Sequence, residues 1–222
     1  MTQEKKIVVL DNAVVKFAGD SGDGMQLVGT LFTDDAALFG NDLATFPDYP
    51  AEIRAPHNTV AGVSGFQLNL GHKKIYTPGD LCDVIIAMNP ASLKANLKWA
   101  KKGTILIVDA DMFDEATLTK AGYKTNPLQD ESLKAYIVIA APISTGTRKA
   151  VAALNFDVKT ADKCRNMFAL GIVINIFGRS MDYTKHYFES KFAHKPTLIA
   201  SNKAVLESGY EYASTLLSLI HI

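Results

Sequence analysis

The sequence has few of the features that mark metal-binding, nucleic-acid-binding or membrane-bound chains. Only Cys82 and Cys164 are cysteines among its 222 residues, and no metal-ligand spacing surrounds them. Two thiols cannot hold an iron–sulfur cluster, so we expect buried free cysteines and no metal site in this chain. Lys and Arg total 23 and Asp and Glu total 23, which gives a net charge of +0. This balance offers no bulk attraction for nucleic acid or for an anionic membrane.

Long apolar runs are also missing. No uninterrupted stretch approaches the roughly 20 residues of a membrane-spanning helix. The N-terminal run Ile7-Val8-Val9-Leu10 is too short for the core of a secretory signal peptide, so we predict a cytoplasmic protein. The apolar residues 216–222 carry no helix-stop signal, so we expect further chain or a partner to follow them. With 48% hydrophobic residues at this length, residues 1–222 predict a single domain with a substantial core.

What the chain does have is a glycine-rich stretch near its start, residues 17–26, which read Phe-Ala-Gly-Asp-Ser-Gly-Asp-Gly-Met-Gln. A β-branched apolar run precedes it, and apolar residues at helical spacing follow from Leu27 to Phe39. This order predicts a strand, a glycine loop and a helix. Gly19, Gly22 and Gly24 allow close approach to the main chain, and a helix N-terminus favours an anion. We therefore predict a loop that faces a phosphate or carboxylate.

The local pattern leaves a second interpretation open. Its order is G-x-x-G-x-G rather than the G-x-G-x-x-G of dinucleotide-binding folds, and no Gly-Lys-Ser/Thr follows. The acidic partner of a ribose could only be Asp42, which stands in a turn rather than at a strand end. Two aspartates, Asp20 and Asp23, also disfavour a bare anion. A tight turn without any ligand accounts for the local pattern equally well.

The middle of the chain predicts an α/β sheet. Two apolar strands, 83–88 and 104–108, flank a helix from Pro90 to Trp99 that Lys101-Lys102-Gly103 would close. This spacing indicates a right-handed parallel crossover. Residues 66–70 alternate apolar and polar, and we expect them to form a hairpin with residues 74–76.

The fold class follows from these elements. We predict a three-layer α/β/α fold with a mostly parallel but mixed, Rossmann-like sheet in residues 1–158. The C-terminal third, residues 159–222, is predicted to be helical, with a break in its last helix at Gly209.

Two further regions would place polar groups near the glycine loop, at the edge of the sheet where a ligand is expected to bind. Parallel strands would bring the glycine loop, Asn89 and Asp109 together at their carboxyl ends. A helix cap for Asn89 and a turn role for Asp109 remain equally open. Residues 40–57 contain three prolines and predict a stiff extended connection that carries Arg54. A solvated surface loop with a Glu52–Arg54 ion pair is the alternative.

Four motifs together resemble one known family. They are Gly-Asp-Ser-Gly-Asp-Gly-Met-Gln (19–26), Phe-Pro-Asp-Tyr-Pro-Ala-Glu-Ile-Arg-Ala-Pro (46–56), Met-Asn-Pro-Ala-Ser-Leu-Lys-Ala-Asn-Leu (88–97) and Asn-Met-Phe-Ala-Leu-Gly (166–171). The chain resembles the gamma-type domain of the 2-oxoacid:ferredoxin oxidoreductases, which stands at the N-terminus of their fused alpha subunit. The second motif is the most specific, and its form is similar to that of the 2-oxoglutarate type.

The resemblance implies one part of an enzyme. Such enzymes decarboxylate a 2-oxoacid on thiamine diphosphate, pass electrons through iron–sulfur clusters to ferredoxin, and transfer the acyl group to coenzyme A. It implies that thiamine diphosphate, Mg²⁺ and the clusters belong to thiamine-binding alpha and beta partner subunits or domains. The absence of any Asn-Asn pair, which the thiamine signature requires, agrees with this. We expect no catalytic residue in this chain and no activity from it alone.

The resemblance also implies candidate binding residues. The loop would face coenzyme A or the active site through Gly19, Ser21, Gly22, Asp23, Gly24 and Met25. Arg54 would be the positive partner of a phosphate, and Asn89 a contact of second rank. A fused subunit would continue into a thiamine-contacting domain, which these residues do not include. Two other hypotheses are a stand-alone Rossmann-like nucleotide-binding module and an assembly domain whose loop binds nothing.

Overall fold

The computed structural model describes residues 6–49, 62–154, 156–216 and 218–221. The strands are β1 Lys6–Val9, β2 Asn12–Asp20, β3 Asp42–Asp48, β4 Val63–Gly71, β5 Cys82–Ala87, β6 Ala100–Asp109, β7 Ile137–Ala141 and β8 Ser218–His221. The helices are α1 Met25–Leu38, α2 Pro90–Asn96, α3 Glu115–Lys120, α4 Ile143–Ala150, α5 Val158–Asp162, α6 Arg165–Ile176, α7 Asp182–Lys191 and α8 Pro196–Ser214. Short 3₁₀ turns cover Leu97–Trp99, Ala110–Met112, Glu131–Leu133 and Ala152–Leu154.

These elements form two compact units. The first, Asn12–Pro142, contains a six-stranded sheet in the order β3-β4-β2-β5-β6-β7, together with α1 to α3. Strands β2, β5, β6 and β7 run parallel, while β4 runs antiparallel to both β2 and β3. The apolar runs of β5 and β6 are buried, as expected for central parallel strands. The predicted α/β fold with a mixed, mostly parallel sheet is confirmed.

The antiparallel part of this sheet differs from the prediction. β4 pairs with β2 and β3, and residues 74–76 form no strand. The prediction of a stiff connection after α1 was therefore wrong for Asp42–Asp48, which is strand β3. Pro47 is tolerated there because β3 is the outer strand of this sheet, where a missing N–H breaks no second ladder. The Asp42 carboxylate accepts a hydrogen bond from the Ile75 N–H at 2.6 Å, which holds the turn beside β3.

The end of the second helix also differs. We expected Lys101-Lys102-Gly103 to close it, but α2 ends at Asn96 and these residues begin β6. Gly103 has a φ of 85° within that irregular start. Thr104 fixes it, because its hydroxyl accepts from the Lys101 N–H at 2.9 Å and donates to the Cys82 carbonyl at 2.7 Å. The hydrogen bonds of the Thr104 hydroxyl thus place Lys101-Lys102-Gly103 in the strand, although their sequence is typical of a helix end.

The second unit joins Met1–Asp11 with Ile143–Ile222. It contains α4 to α8 and a two-stranded parallel sheet of β1 and β8. Helix α6 is buried from Asn166 to Ile176, which confirms the predicted buried helix. The prediction of a helical segment over residues 159–222 was wrong at its end, because Ser218–His221 pairs with β1 as strand β8. The suggested break at Gly209 was wrong, because α8 is continuous.

Glycine occurs within α6 and α8 because the two helices pack closely at these positions. An added Cβ at Gly209 would lie 2.1 Å from the Phe168 carbonyl oxygen, and one at Gly171 would lie 2.2 Å from the Leu206 carbonyl oxygen. The two helices therefore touch backbone to backbone, and glycine serves close packing there rather than helix termination. Cys82 and Cys164 are buried free thiols, as predicted. Among the helices that the structure describes, none has the length and apolarity needed to cross a membrane.

Candidate functional site

The glycine loop lies at the carboxyl end of β2, between that strand and α1. It begins with a turn that is closed twice, since the Asp23 N–H donates to the Asp20 carbonyl at 3.0 Å and the Asp20 N–H donates to the Asp23 carboxylate at 2.9 Å. Ser21 and Gly22 form the exposed tip. The Asp23 side chain therefore shapes the turn, which gives this acidic residue a structural role inside a loop predicted to face an anion.

The three loop glycines are required for two physical reasons, a close contact at Gly19 and a positive φ at Gly22 and Gly24. A Cβ on Gly19 would lie 2.8 Å from the Asp23 carboxylate and 3.0 Å from the Met25 side chain, so the loop could not fold over it. Gly22 has a φ of 105° at the open tip, where a Cβ would meet no atom within 4 Å. Gly24 has a φ of 72° and is the N-cap of α1. The loop thus needs glycine for its own conformation, whether or not a ligand binds.

The first turn of α1 is open to an acceptor. Its N-cap is a glycine without a side-chain hydrogen bond, and the turn contains no acidic residue. The N–H groups of Met25, Gln26 and Leu27 have no acceptor within the helix, and the helix dipole adds partial positive charge. Met25 is only 1% exposed, and its side chain packs close to Gly19 beneath the loop. This geometry suits a phosphate or carboxylate.

Two contacts that the sequence did not reveal fix α1 against the sheet. The Gln26 amide donates to the Gly65 carbonyl at 2.6 Å, which ties the first helical turn to β4. Gly29 packs on Phe66, and a Cβ at Gly29 would lie 2.2 Å from that ring. Neither partner is near in sequence, so only the helix-to-sheet packing could disclose them. Together they hold the helix N-terminus in a defined position.

Asn89 joins the loop to the neighbouring parallel strand. It caps α2 by accepting from the Ser92 N–H at 2.8 Å, in a capping box with the Ser92 hydroxyl. Its amide also donates to the Asp20 carboxylate at 2.9 Å. The predicted meeting of the loop and Asn89 at one sheet edge is confirmed, and the capping role is present as well. Asp109 is fully buried and accepts from the Asp111 N–H at 3.3 Å, in the turn role that we left open.

The remaining predicted polar residues are partly outside the described chain. Arg54 falls in residues 50–61, which lie outside the described residues. Asp48, from the same motif, ends β3 and pairs with the buried Lys16 ammonium at 3.7 Å. Lys16 also donates to Gln67 at 3.4 Å and lies 5.7 Å from the centre of the Trp99 ring. No group of three or more His, Cys, Asp or Glu side chains in the described ranges is placed to hold a metal ion.

Comparison with known proteins identifies the family. The model of the family described as pyruvate ferredoxin/flavodoxin oxidoreductase matches residues 14–212, most of the chain. The chain belongs to this family. A relative in it, the 2-oxoglutarate oxidoreductase subunit KorA of Mycobacterium tuberculosis, is 48% identical over 206 residues, or 93% of this chain. The predicted resemblance is thereby confirmed, and the chain spans 32% of the length of that relative.

Solved structures of oxidoreductases share the fold of this family member. A 2-oxoglutarate:ferredoxin oxidoreductase from Magnetococcus marinus, solved with 2-oxoglutarate, coenzyme A and succinyl-CoA bound, matches with a TM-score of 0.73 at 24% identity. The match covers 93% of this chain and 32% of that one. A keto/oxoacid ferredoxin oxidoreductase gamma subunit from Geobacter sulfurreducens matches with a TM-score of 0.62 at 20% identity, over 92% of this chain and 99% of that one. At these identities the likeness establishes the fold alone.

Proposed function

We propose that this chain is the gamma-type domain of a coenzyme A-acylating 2-oxoacid:ferredoxin oxidoreductase, with 2-oxoglutarate as the 2-oxoacid. The observation that carries this proposal is the 48% identity, over 93% of the chain, to a 2-oxoglutarate oxidoreductase subunit. The domain contributes to coenzyme A binding and to subunit assembly during oxidative decarboxylation. In this proposal residues 1–222 act as one domain in the cytoplasm, although the sheet unit spans Asn12–Pro142 rather than the expected residues 1–158.

The glycine loop is the part that meets coenzyme A in this proposal. Coenzyme A carries several phosphate charges, and the uncapped first turn of α1 offers N–H groups to one of them. The contacts come from the loop residues Gly19, Ser21, Gly22, Asp23, Gly24 and Met25, through backbone N–H groups above all. Arg54 supplies a positive charge to a phosphate, and Asn89 orients the loop through Asp20.

The chemistry itself belongs to partners in this proposal. Thiamine diphosphate with Mg²⁺ is held by thiamine-binding alpha and beta subunits or domains, and iron–sulfur clusters there pass electrons to ferredoxin. This chain supplies no catalytic residue and is inactive alone. A reconstituted complex should therefore lose coenzyme A-dependent ferredoxin reduction when this chain is omitted. Full activity without it would refute the proposal.

A pair of glycine variants tests the loop. Gly22→Val and Gly40→Val both place a branched side chain at a positive φ, 105° and 81°, where an added Cβ meets no atom within 4 Å. Each carries a similar backbone cost of about 1–3 kcal/mol. We expect Gly22→Val to raise the KM for coenzyme A with assembly intact by gel filtration, and Gly40→Val to leave that KM unchanged. Equal KM values in the two variants would exclude the loop as a coenzyme A contact.

A further inference from the structure

A small cavity of about 160 Å³ opens beside the glycine loop, over the carboxyl ends of β2, β5 and β6. Its lining includes Asp20 and Asn89 from the loop side of the sheet edge, together with Met112, Thr117 and Lys120. Pockets that hold a whole ligand measure roughly 300–1,000 Å³. This cavity therefore suits one portion of a larger molecule whose remainder lies outside it.

Lys120 is the one cation that lines this cavity among the described residues. It is the last residue of α3, and its side chain is exposed. The nearby Lys94 is committed elsewhere, because its ammonium donates to the Ala121 carbonyl at 2.9 Å and to the Gly122 carbonyl at 2.8 Å. Those bonds fix the end of α3, so Lys120 projects from an anchored backbone.

The lining of this cavity also contains a carboxylate, that of Asp20. Asp20 is oriented by the Asn89 amide at 2.9 Å. A carboxylate repels a bare phosphate but accepts a hydrogen bond from a hydroxyl group. A lysine and a carboxylate that line one small cavity therefore match a group that carries both a phosphate and a hydroxyl, as a phosphorylated ribose does.

We propose that this cavity binds the phosphorylated ribose of coenzyme A, with Lys120 paired to its 3′-phosphate and Asp20 accepting from the adjacent ribose hydroxyl. The inference rests on the proposed function, since that function supplies coenzyme A as the ligand. It extends the site beyond the glycine loop, because Asp20 belongs both to the loop turn and to the cavity wall. The α1 N-terminus is then left for the diphosphate.

The test compares coenzyme A with dephospho-coenzyme A, which lacks the 3′-phosphate, in the reconstituted complex. Lys120→Gln should raise the KM for coenzyme A about tenfold, the value of a charged hydrogen bond at a partly exposed site, with kcat at saturation unchanged. It should leave the KM for dephospho-coenzyme A unaltered. Lys124→Gln is the matched control, an exposed lysine just after α3 and outside the cavity, and should change neither value.

The outcomes separate this inference from the proposed function. An equal rise in both KM values would overturn the ribose assignment, since Lys120 would then act on a group common to both ligands. If Lys120→Gln matches Lys124→Gln while Gly22→Val still raises the KM, the cavity assignment fails and the loop proposal stands. If none of the three variants changes the KM, the coenzyme A role of this chain fails as well.

Discussion

Replacing Gly209 with alanine would place a methyl group inside the contact between α6 and α8. The new Cβ would lie 2.1 Å from the Phe168 carbonyl oxygen and 2.8 Å from its carbonyl carbon. Carbon–oxygen contacts are normally about 3.3 Å, so the helices would have to separate by roughly 1 Å. Both obstructing atoms belong to the backbone, so no side-chain rotation relieves the clash. Overpacking costs about 1–3 kcal/mol.

The helix itself would gain from the same change. Alanine is favoured over glycine in a helix interior by about 1 kcal/mol. With the clash at the upper end of its range, we expect Gly209→Ala to lower the free energy of unfolding by about 2 kcal/mol. Urea denaturation of the isolated chain measures this without any partner.

Ser208→Ala is the matched control for this prediction. It introduces alanine one residue earlier in α8, where the side chain is partly exposed. By helix propensity it should raise the stability by about 0.5 kcal/mol or less. If Gly209→Ala were as stable as the wild type or more so, the backbone-to-backbone contact with α6 would be wrong.

Two other measurements probe the sheet unit. Gly29→Ala should lower the free energy of unfolding in urea by about 1–3 kcal/mol, because its Cβ would lie 2.2 Å from the Phe66 ring. Phe66→Leu in the same chain should recover part of that loss. If the two substitutions lower the free energy of unfolding additively, the contact between them would be wrong. Burial raises the pKa of the Cys82 thiol from 9.0 to about 11. The unfolded thiol ionises first, so the free energy of unfolding should fall as the pH rises from about 9 to 11, and this fall should be smaller in Cys82→Ala. A pH profile that is identical in Cys82→Ala would contradict the assignment.

The sequence could predict those parts of the fold in which local pattern and packing agree. The apolar run of β5 is followed by the cap at Asn89, and that of β6 ends in the turn at Asp109, so their burial and parallel direction follow from composition and spacing. The glycine loop was predictable for a similar reason, because strand, glycines and helix follow one another directly. The meeting of the loop with Asn89 followed from the parallel topology alone.

The features that the sequence did not predict depend on contacts with residues distant in sequence. Strand β3 contains Pro47, which disfavours a strand locally, and only its outer place beside β4 makes it acceptable. Gly209 has the signature of a helix break, yet its role is set by Phe168, which lies on another helix. The Gln26 contact with Gly65 is likewise invisible until the helix is placed on the sheet. Propensity describes the preference of a residue by itself, whereas the structure at these positions is determined by tertiary contacts with residues distant in sequence.

The pairing of β1 with β8 determines when each part of the chain can fold during synthesis. Lys6 pairs with Ser218, so strand β1 stays unpaired until residue 218 has left the ribosome. The sheet unit, Asn12–Pro142, is continuous and can assemble while translation proceeds, but the helical unit is built from both flanks of it. Stalled or truncated translation products should therefore contain a folded sheet unit and an unpaired strand β1. An unpaired strand of this kind is a binding site for chaperones.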